Sequence, residues 1–203
     1  MKVLILAIGN LLLSDEGVGI HVLHALERDY RFPDGVILLD GGTSGLDLLI
    51  PIEEAQHLIL IDAVDVGAPP GTLSRLDGSE IPRLFQNKLS PHQVSLLDVL
   101  AAATLMGVVP RTMTLFGIQP AVFDIGMTLS PGLASRLPEL TGEIIAELAR
   151  LGWPAIPRDK TCLKEIGERH GDPDFLSTHP VLPIDWTPLN QGKIRENNDA
   201  SYL

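Results

Sequence analysis

Side chains able to do chemistry gather in three short stretches of the sequence. Asp15 and Glu16 follow Ile8-Gly9-Asn10 closely, Asp62 ends the apolar run Leu58–Asp62, and His92 stands in Ser90-Pro91-His92-Gln93. Carboxylates and an imidazole together offer oxygen and nitrogen donors. Such a set suits a borderline divalent ion, nickel or zinc, and leaves positions open for substrate or water. Each residue also has an ordinary explanation. Glu16 would complement the N-terminal end of a helix dipole, Asp62 would cap the turn after a strand, and His92 would lie on an exposed first turn. Spacing alone does not choose between the two accounts, nor between Asp15 and Glu16. A fourth stretch, Asp40-Gly41-Gly42-Thr43-Ser44-Gly45, could approach a ligand backbone closely, because glycines remove the Cβ obstacle.

Other chemistries find little support. The glycines of the first loop fall at 9, 17 and 19, so the G-x-G-x-x-G spacing fails, and the P-loop pattern is absent. Neither H-E-x-x-H nor G-x-S-x-G occurs. The single cysteine, Cys162, rules out an intrachain disulfide and a cysteine-held cluster. His21 and His24 lie on consecutive turns of one helical period and could chelate, although a solvated helix face explains them as well. Cys162, His170 and His179 form a further, weaker metal candidate. Asp65 and Asp98 read as solvent-facing.

The elements that must position these residues follow from hydrophobic patterning. Val3–Ile8, Val36–Asp40 and Leu58–Asp62 are short, nearly continuous apolar runs, the signature of strands covered on both faces. Thr72–Leu76 and Thr112–Gly117 are weaker strand candidates. Helical periods lie between them: Val18, Val22, Ala25 and Leu26; then Val94, Leu97 and Ala101; then Leu133, Leu137, Leu140, Ile144, Leu148 and Leu151. Ser90, Pro91 and Gln93 supply an N-cap, a first-turn proline and a capping-box partner, and Gly152 a stop. The alternation predicts an α/β fold, a single twisted, mostly parallel sheet of about five strands with helices on both faces.

The chain of 203 residues, 45% hydrophobic and 4% aromatic, is long enough for one such domain with an aliphatic core. That domain is expected over residues 1–158, with 159–203 an irregular, proline-punctuated C-terminal appendage. The formal net charge of −11, with no cationic run, argues against nucleic acid and anionic membranes as partners. No apolar stretch approaches the roughly 20 residues needed to cross a bilayer, and a cytoplasmic location is expected.

Taken together, five segments resemble the maturation endopeptidases of nickel–iron hydrogenases. They are Ile8-Gly9-Asn10-Leu11 with Asp15-Glu16-Gly17-Val18-Gly19, Leu39-Asp40-Gly41-Gly42-Thr43, Ile61-Asp62-Ala63, Ser90-Pro91-His92-Gln93 and Gly117-Ile118-Gln119-Pro120. Their order and separations fit the family to about Arg158, including Ala155-Ile156-Pro157-Arg158. The resemblance implies a metal site of Glu16, Asp62 and His92, and a reaction. A short C-terminal peptide is cut from the hydrogenase large-subunit precursor after nickel insertion. It further implies that nickel arrives with the substrate, so that these residues read its presence; zinc or cadmium could occupy the same donors. With no other nucleophile or base apparent, the ion is expected also to polarise the scissile carbonyl or activate water. Asp40, Gly41, Gly42 and Thr43 are the candidates for holding the substrate backbone, and the enzyme is expected to act as a monomer. Two alternatives belong to other classes: a zinc peptidase carrying its own metal on the same residues, and a non-catalytic nickel-binding module.

Overall fold

The computed structural model describes residues 2–78, 80–81 and 91–159, with the backbone alone for 91–95. In chain order the elements are β1 (Val3–Ile8), α1 (Val18–Asp29), β2 (Tyr30–Arg31), β3 (Val36–Gly42), α2 (Leu49–Glu54), β4 (His57–Ala63), β5 (Leu73–Asp77), α3 (Pro91–Met106), β6 (Thr112–Ile118), α4 (Pro131–Arg150) and β7 (Ile156–Pro157), with 3-10 turns at Ser14–Gly17 and Leu46–Leu48. Five strands form one sheet in the order β3-β1-β4-β6-β5. The first four of these are mutually parallel, while β5 pairs antiparallel along the outer edge of β6. The expected α/β class and mostly parallel sheet are therefore present. The tiny antiparallel ribbon of β2 with β7 was not legible, because two-residue strands carry no period.

Strand alternation sorts the core into two layers. Val3, Ile5 and Ala7 of β1 with Ile59 and Ile61 of β4 pack under α1 and α4. Leu4, Leu6 and Ile8 with Leu58 and Leu60 pack under α2 and α3. Every residue of β1 is buried, which is why its sequence is a continuous apolar run rather than an alternating one. The stripe expected for α4 holds, with Leu133, Leu140, Ile144 and Leu148 buried. Its helix stops at Gly152 (φ +85°), a conformation glycine adopts without a Cβ penalty.

The face expected for α3 is corrected. Leu96, Val99, Leu100 and Ala103 are the buried set, whereas Ala101 of the predicted stripe is exposed. From Val94 to Met106 the helix is apolar nearly all round, so periodicity has no contrast from which to choose a face. The helix does begin at Pro91 as expected; the Ser90 cap falls outside the described residues. So does the appendage from residue 160 onward, with Cys162, His170 and His179. Residues up to Arg158 pack as one unit. Among the described residues no helix is long and apolar enough to cross a membrane.

Two features lock the layers. Gly19, in the first turn of α1, stands over the ends of β1 and β4: a Cβ there would lie 2.4 Å from the Ile8 carbonyl oxygen and 2.5 Å from that of Ile61. At the opposite, amino edge of the sheet, buried Glu147 of α4 accepts hydrogen bonds from Arg150 Nε at 2.8 Å and from Arg75 Nη2 of β5 at 3.3 Å. The Arg150 hydrogen bond, against the opposing effect of burial, holds the Glu147 carboxyl below its ordinary value of 4.5.

Two outcomes follow. Replacing glycine by alanine inside an exposed helix stabilises by about 1 kcal/mol, but Gly19→Ala is expected to destabilise. Two backbone carbonyls must move, at a cost of about 1–3 kcal/mol, and the check is a lowered urea midpoint with an unchanged m-value. Because the folded pKa of Glu147 is depressed, the unfolded chain binds the extra proton first. The stability it contributes is full above pH 4.5 and is lost as pH falls through the folded value. Denaturant titrations from pH 7 to pH 3 should therefore fall less steeply for Glu147→Gln than for the unmodified chain.

Candidate functional site

The strand order makes the site's location a matter of topology. From β1 the chain moves to β3 on one side, and β4 then returns to pair on the other. Where connections diverge in this way a crevice opens outside the carboxyl ends of the two central strands. Here those ends are Ile8 of β1 and Ala63 of β4.

Glu16 enters this region from the 3-10 turn Ser14–Gly17, which packs against β4. Its side chain is buried. Asp62, the penultimate residue of β4, is fully buried. Alternation gives it the parity of Leu58 and Leu60, facing the α3 layer. The start of α3 lies toward the same edge. β5 carries the chain to the amino edge, where Gly78 N–H bonds the Met113 carbonyl, and Arg111, five residues after α3, bonds Gln56 there. The 16 residues of α3 span about 24 Å, close to the length of the strands beneath them, so the helix runs antiparallel to them and begins at their carboxyl side. Backbone topology thus brings the His92 position to the edge that holds Glu16 and Asp62; its side chain lies outside the described ones.

Asp15 and Glu16 are told apart by their partners. The Asp15 carboxylate is fully buried and accepts four hydrogen bonds: from Ala121 N (2.9 Å), Val122 N (3.0 Å), Ser130 N (2.7 Å) and Ser130 Oγ (2.9 Å). Every one comes from the loop that joins β6 to α4. Ser130, the N-cap of α4, thereby spends its hydroxyl on Asp15 and not on its own helix. Asp15 is an anchor between loops, a role its adjacency to Glu16 concealed in the sequence.

The same loops are joined at further points. Ser14 adopts a left-handed backbone (φ +48°), with its N–H on the Gly126 carbonyl at 2.7 Å and its hydroxyl on the Asp124 carbonyl at 2.9 Å. His21 is half-buried, close to the Met127 backbone. Burial first, then neighbouring His24, lowers its pKa from the ordinary 6.5, with the Met127 contact opposing. His24 is exposed, and no third metal-ligating side chain joins the pair among the described residues.

Gln119 is a second residue whose role the sequence left open. Its amide oxygen accepts from Val66 N (2.9 Å) and Ala68 N (3.3 Å), while its Nε2 donates to Asp65 at 3.2 Å. It clamps the loop after β4 to the end of β6. Asp65 is corrected accordingly: it is half-buried in this clamp, not simply solvent-facing, whereas Asp98 is exposed. The only advance signal was the Gly117-Ile118-Gln119-Pro120 segment itself.

The Asp40–Thr43 turn closes the region on the β3 side. A Cβ on Gly41 would lie 2.8 Å from Leu6 Cδ1, so this glycine serves the packing of β3 on β1. Gly42 (φ +47°) is held by its N–H on Asp40 Oδ1 at 2.8 Å, and a Cβ there would meet only that oxygen, at 3.6 Å. Thr43 is exposed. The turn is open to an approaching chain.

The arrangement can be set beside known proteins. The hydrogenase maturation protease family (HycI) matches residues 20–147. The hydrogenase 2 maturation protease of Escherichia coli K12 is 41% identical over 160 residues, covering 78% of this chain and 98% of its own. The hydrogenase expression/formation protein HupM of Azotobacter chroococcum is 39% identical, covering 87% and 94%. Among solved structures, the E. coli hydrogenase maturating endopeptidase HybD superimposes with a TM-score of 0.75 over 78% of this chain and 98% of its own, at 41% identity. A nickel–iron hydrogenase maturation protease from Thermococcus kodakarensis gives 0.61 over 73% and 99%, at 28% identity. This chain belongs to the hydrogenase maturation proteases and is a peptide-bond hydrolase.

Proposed function

We propose that this protein removes a short C-terminal peptide from the nickel-loaded precursor of a nickel–iron hydrogenase large subunit, with Glu16, Asp62 and His92 reading the metal. The observation that carries this reading is the burial of two carboxylates from different segments, Glu16 at 7% and Asp62 at 0% exposure, where β1 and β4 end in a member of this family. Two carboxylates placed where parallel strands end supply oxygen donors of the kind a divalent cation takes up. Relatives named for hydrogenase 2 maturation and for hydrogenase expression and formation support the large-subunit precursor as partner.

Nickel in this account is part of the substrate. Three oxygen and nitrogen donors hold a free ion modestly, yet they can complete the coordination of an ion already held by the precursor. The loaded precursor then gains bonds that the empty one lacks, and selectivity is that difference. Zinc and cadmium suit the same donors. The incoming ion would supply electrophilic chemistry beside the scissile bond; the chain's own part is to hold the donors rigid and exclude bulk water around them. The open Asp40–Thr43 turn, with Gly41 and Gly42, is the element proposed to receive the substrate backbone. The enzyme acts in this scheme as a monomer in the cytoplasm.

Glu16→Gln, Asp62→Asn and His92→Ala are each expected to slow cleavage of nickel-loaded precursor at least about 100-fold, the upper end of what even outer-sphere changes at metal sites cost. Circular dichroism should show the variants folded. A variant that still cleaves at the normal rate would remove its residue from the assignment.

A further inference from the structure

The loop over residues 120–130 presents three large apolar side chains outward while its backbone is held in place. Ile125 is 92% exposed, Met127 65% and Phe123 54%, and Leu12 of the facing loop is 60% exposed. A loose loop would explain such exposure, but this loop is not loose. Asp15 takes the N–H groups of Ala121 and Val122 at one end and Ser130 at the other. In the middle, Gly126 N–H bonds the Leu12 carbonyl at 3.0 Å, and Leu13 and Gly126 pair as a parallel bridge. The approach is so close that a Cβ on Gly126 would lie 2.8 Å from Ser14 Oγ. A buried, four-bonded carboxylate is a large investment in a segment whose side chains contribute little to the core.

We propose that Leu12, Phe123, Ile125 and Met127 form a preorganised platform on which an uncharged, apolar segment of the protein substrate sits beside the cleft, with Asp15 as the positioning residue that holds it. This rests on the function proposed above, which makes a hydrogenase precursor the occupant. Contiguous exposed apolar surface marks sites of protein contact, and a loop already fixed pays little ordering entropy on binding. The platform is continuous with the candidate site, because the segment that carries Leu12 runs directly into the turn holding Asp15 and Glu16. Leu12 stands four residues before Glu16 in the same loop. The occupant's chemistry follows from the loop, where Asp124 is the one charged residue between 120 and 130. A second copy fits less well, since two molecules of net charge −11 repel.

The test uses the full chain and nickel-loaded large-subunit precursor. Phe123→Ser combined with Ile125→Ser should raise KM at least ~10-fold, the scale of a lost interface anchor, with kcat within about threefold. A photo-crosslinking p-benzoylphenylalanine in place of Ile125 should give an adduct with the precursor. An unchanged KM, or adducts confined to residues 160–203 of this chain or to a second copy, would overturn the platform while leaving the protease reading intact. Failure of the unmodified chain to cleave loaded precursor would instead overturn the protease reading, and the platform with it.

Discussion

A carboxylate without access to water holds the working edge of this molecule together. Asp15 sits between the loop that leaves β1 and the loop that leaves β6, and its oxygens take every hydrogen bond from the second of them. Hydrogen bonds to a buried charge are each worth about 1.5–3 kcal/mol, and the desolvation they offset is of similar total size. The net gain in stability is therefore modest. What the arrangement provides is geometry: with Asp15 held, the backbone of the turn that carries Glu16 is fastened beside β4.

The remaining edge is organised around that knot. Gly19 lets α1 descend onto the carbonyls of Ile8 and Ile61, so that the turn bearing Glu16 lies against β4 and the end of the strand bearing Asp62. Gln119 fastens the loop after β4 to β6, and the Asp40–Gly42 turn closes on β1 through Gly41. Each parallel strand delivers one loop, and each loop is pinned to a neighbour by a buried polar group or a glycine contact. Loops placed this way on a rigid scaffold are where binding and catalysis concentrate. At the opposite edge the Arg75–Glu147–Arg150 network ties the last long helix to the edge strand β5.

Much of this could be read from the chain because burial on two faces leaves continuous apolar runs, as in Val3–Ile8. The strands of the main sheet and the long stripe of α4 were legible for that reason. Where contrast vanished, legibility did too: α3 is apolar on nearly every side, and only packing selects Leu96 and Val99 over Ala101. Asp62 could be nominated by residue type and its place at a strand end, whereas only the family resemblance chose Glu16 over Asp15. The roles of Asp15 and Gln119 could not be read, because their partners lie more than 100 and more than 50 residues away in sequence. Leu12, Phe123, Ile125 and Met127 follow no helix or strand period, and only the pinning of their backbone distinguishes them from ordinary loop apolars.

The central proposal is that Glu16, Asp62 and His92 make hydrolysis conditional on a metal carried by the substrate. The most direct measurement is the intact mass of a matched large-subunit precursor, loaded with nickel or left empty, before and after incubation with this protein. Loss of a short C-terminal peptide from the loaded precursor alone is the predicted result. Equal cleavage of the empty precursor would contradict the account, because the Glu16–Asp62–His92 donors would then have no metal to read.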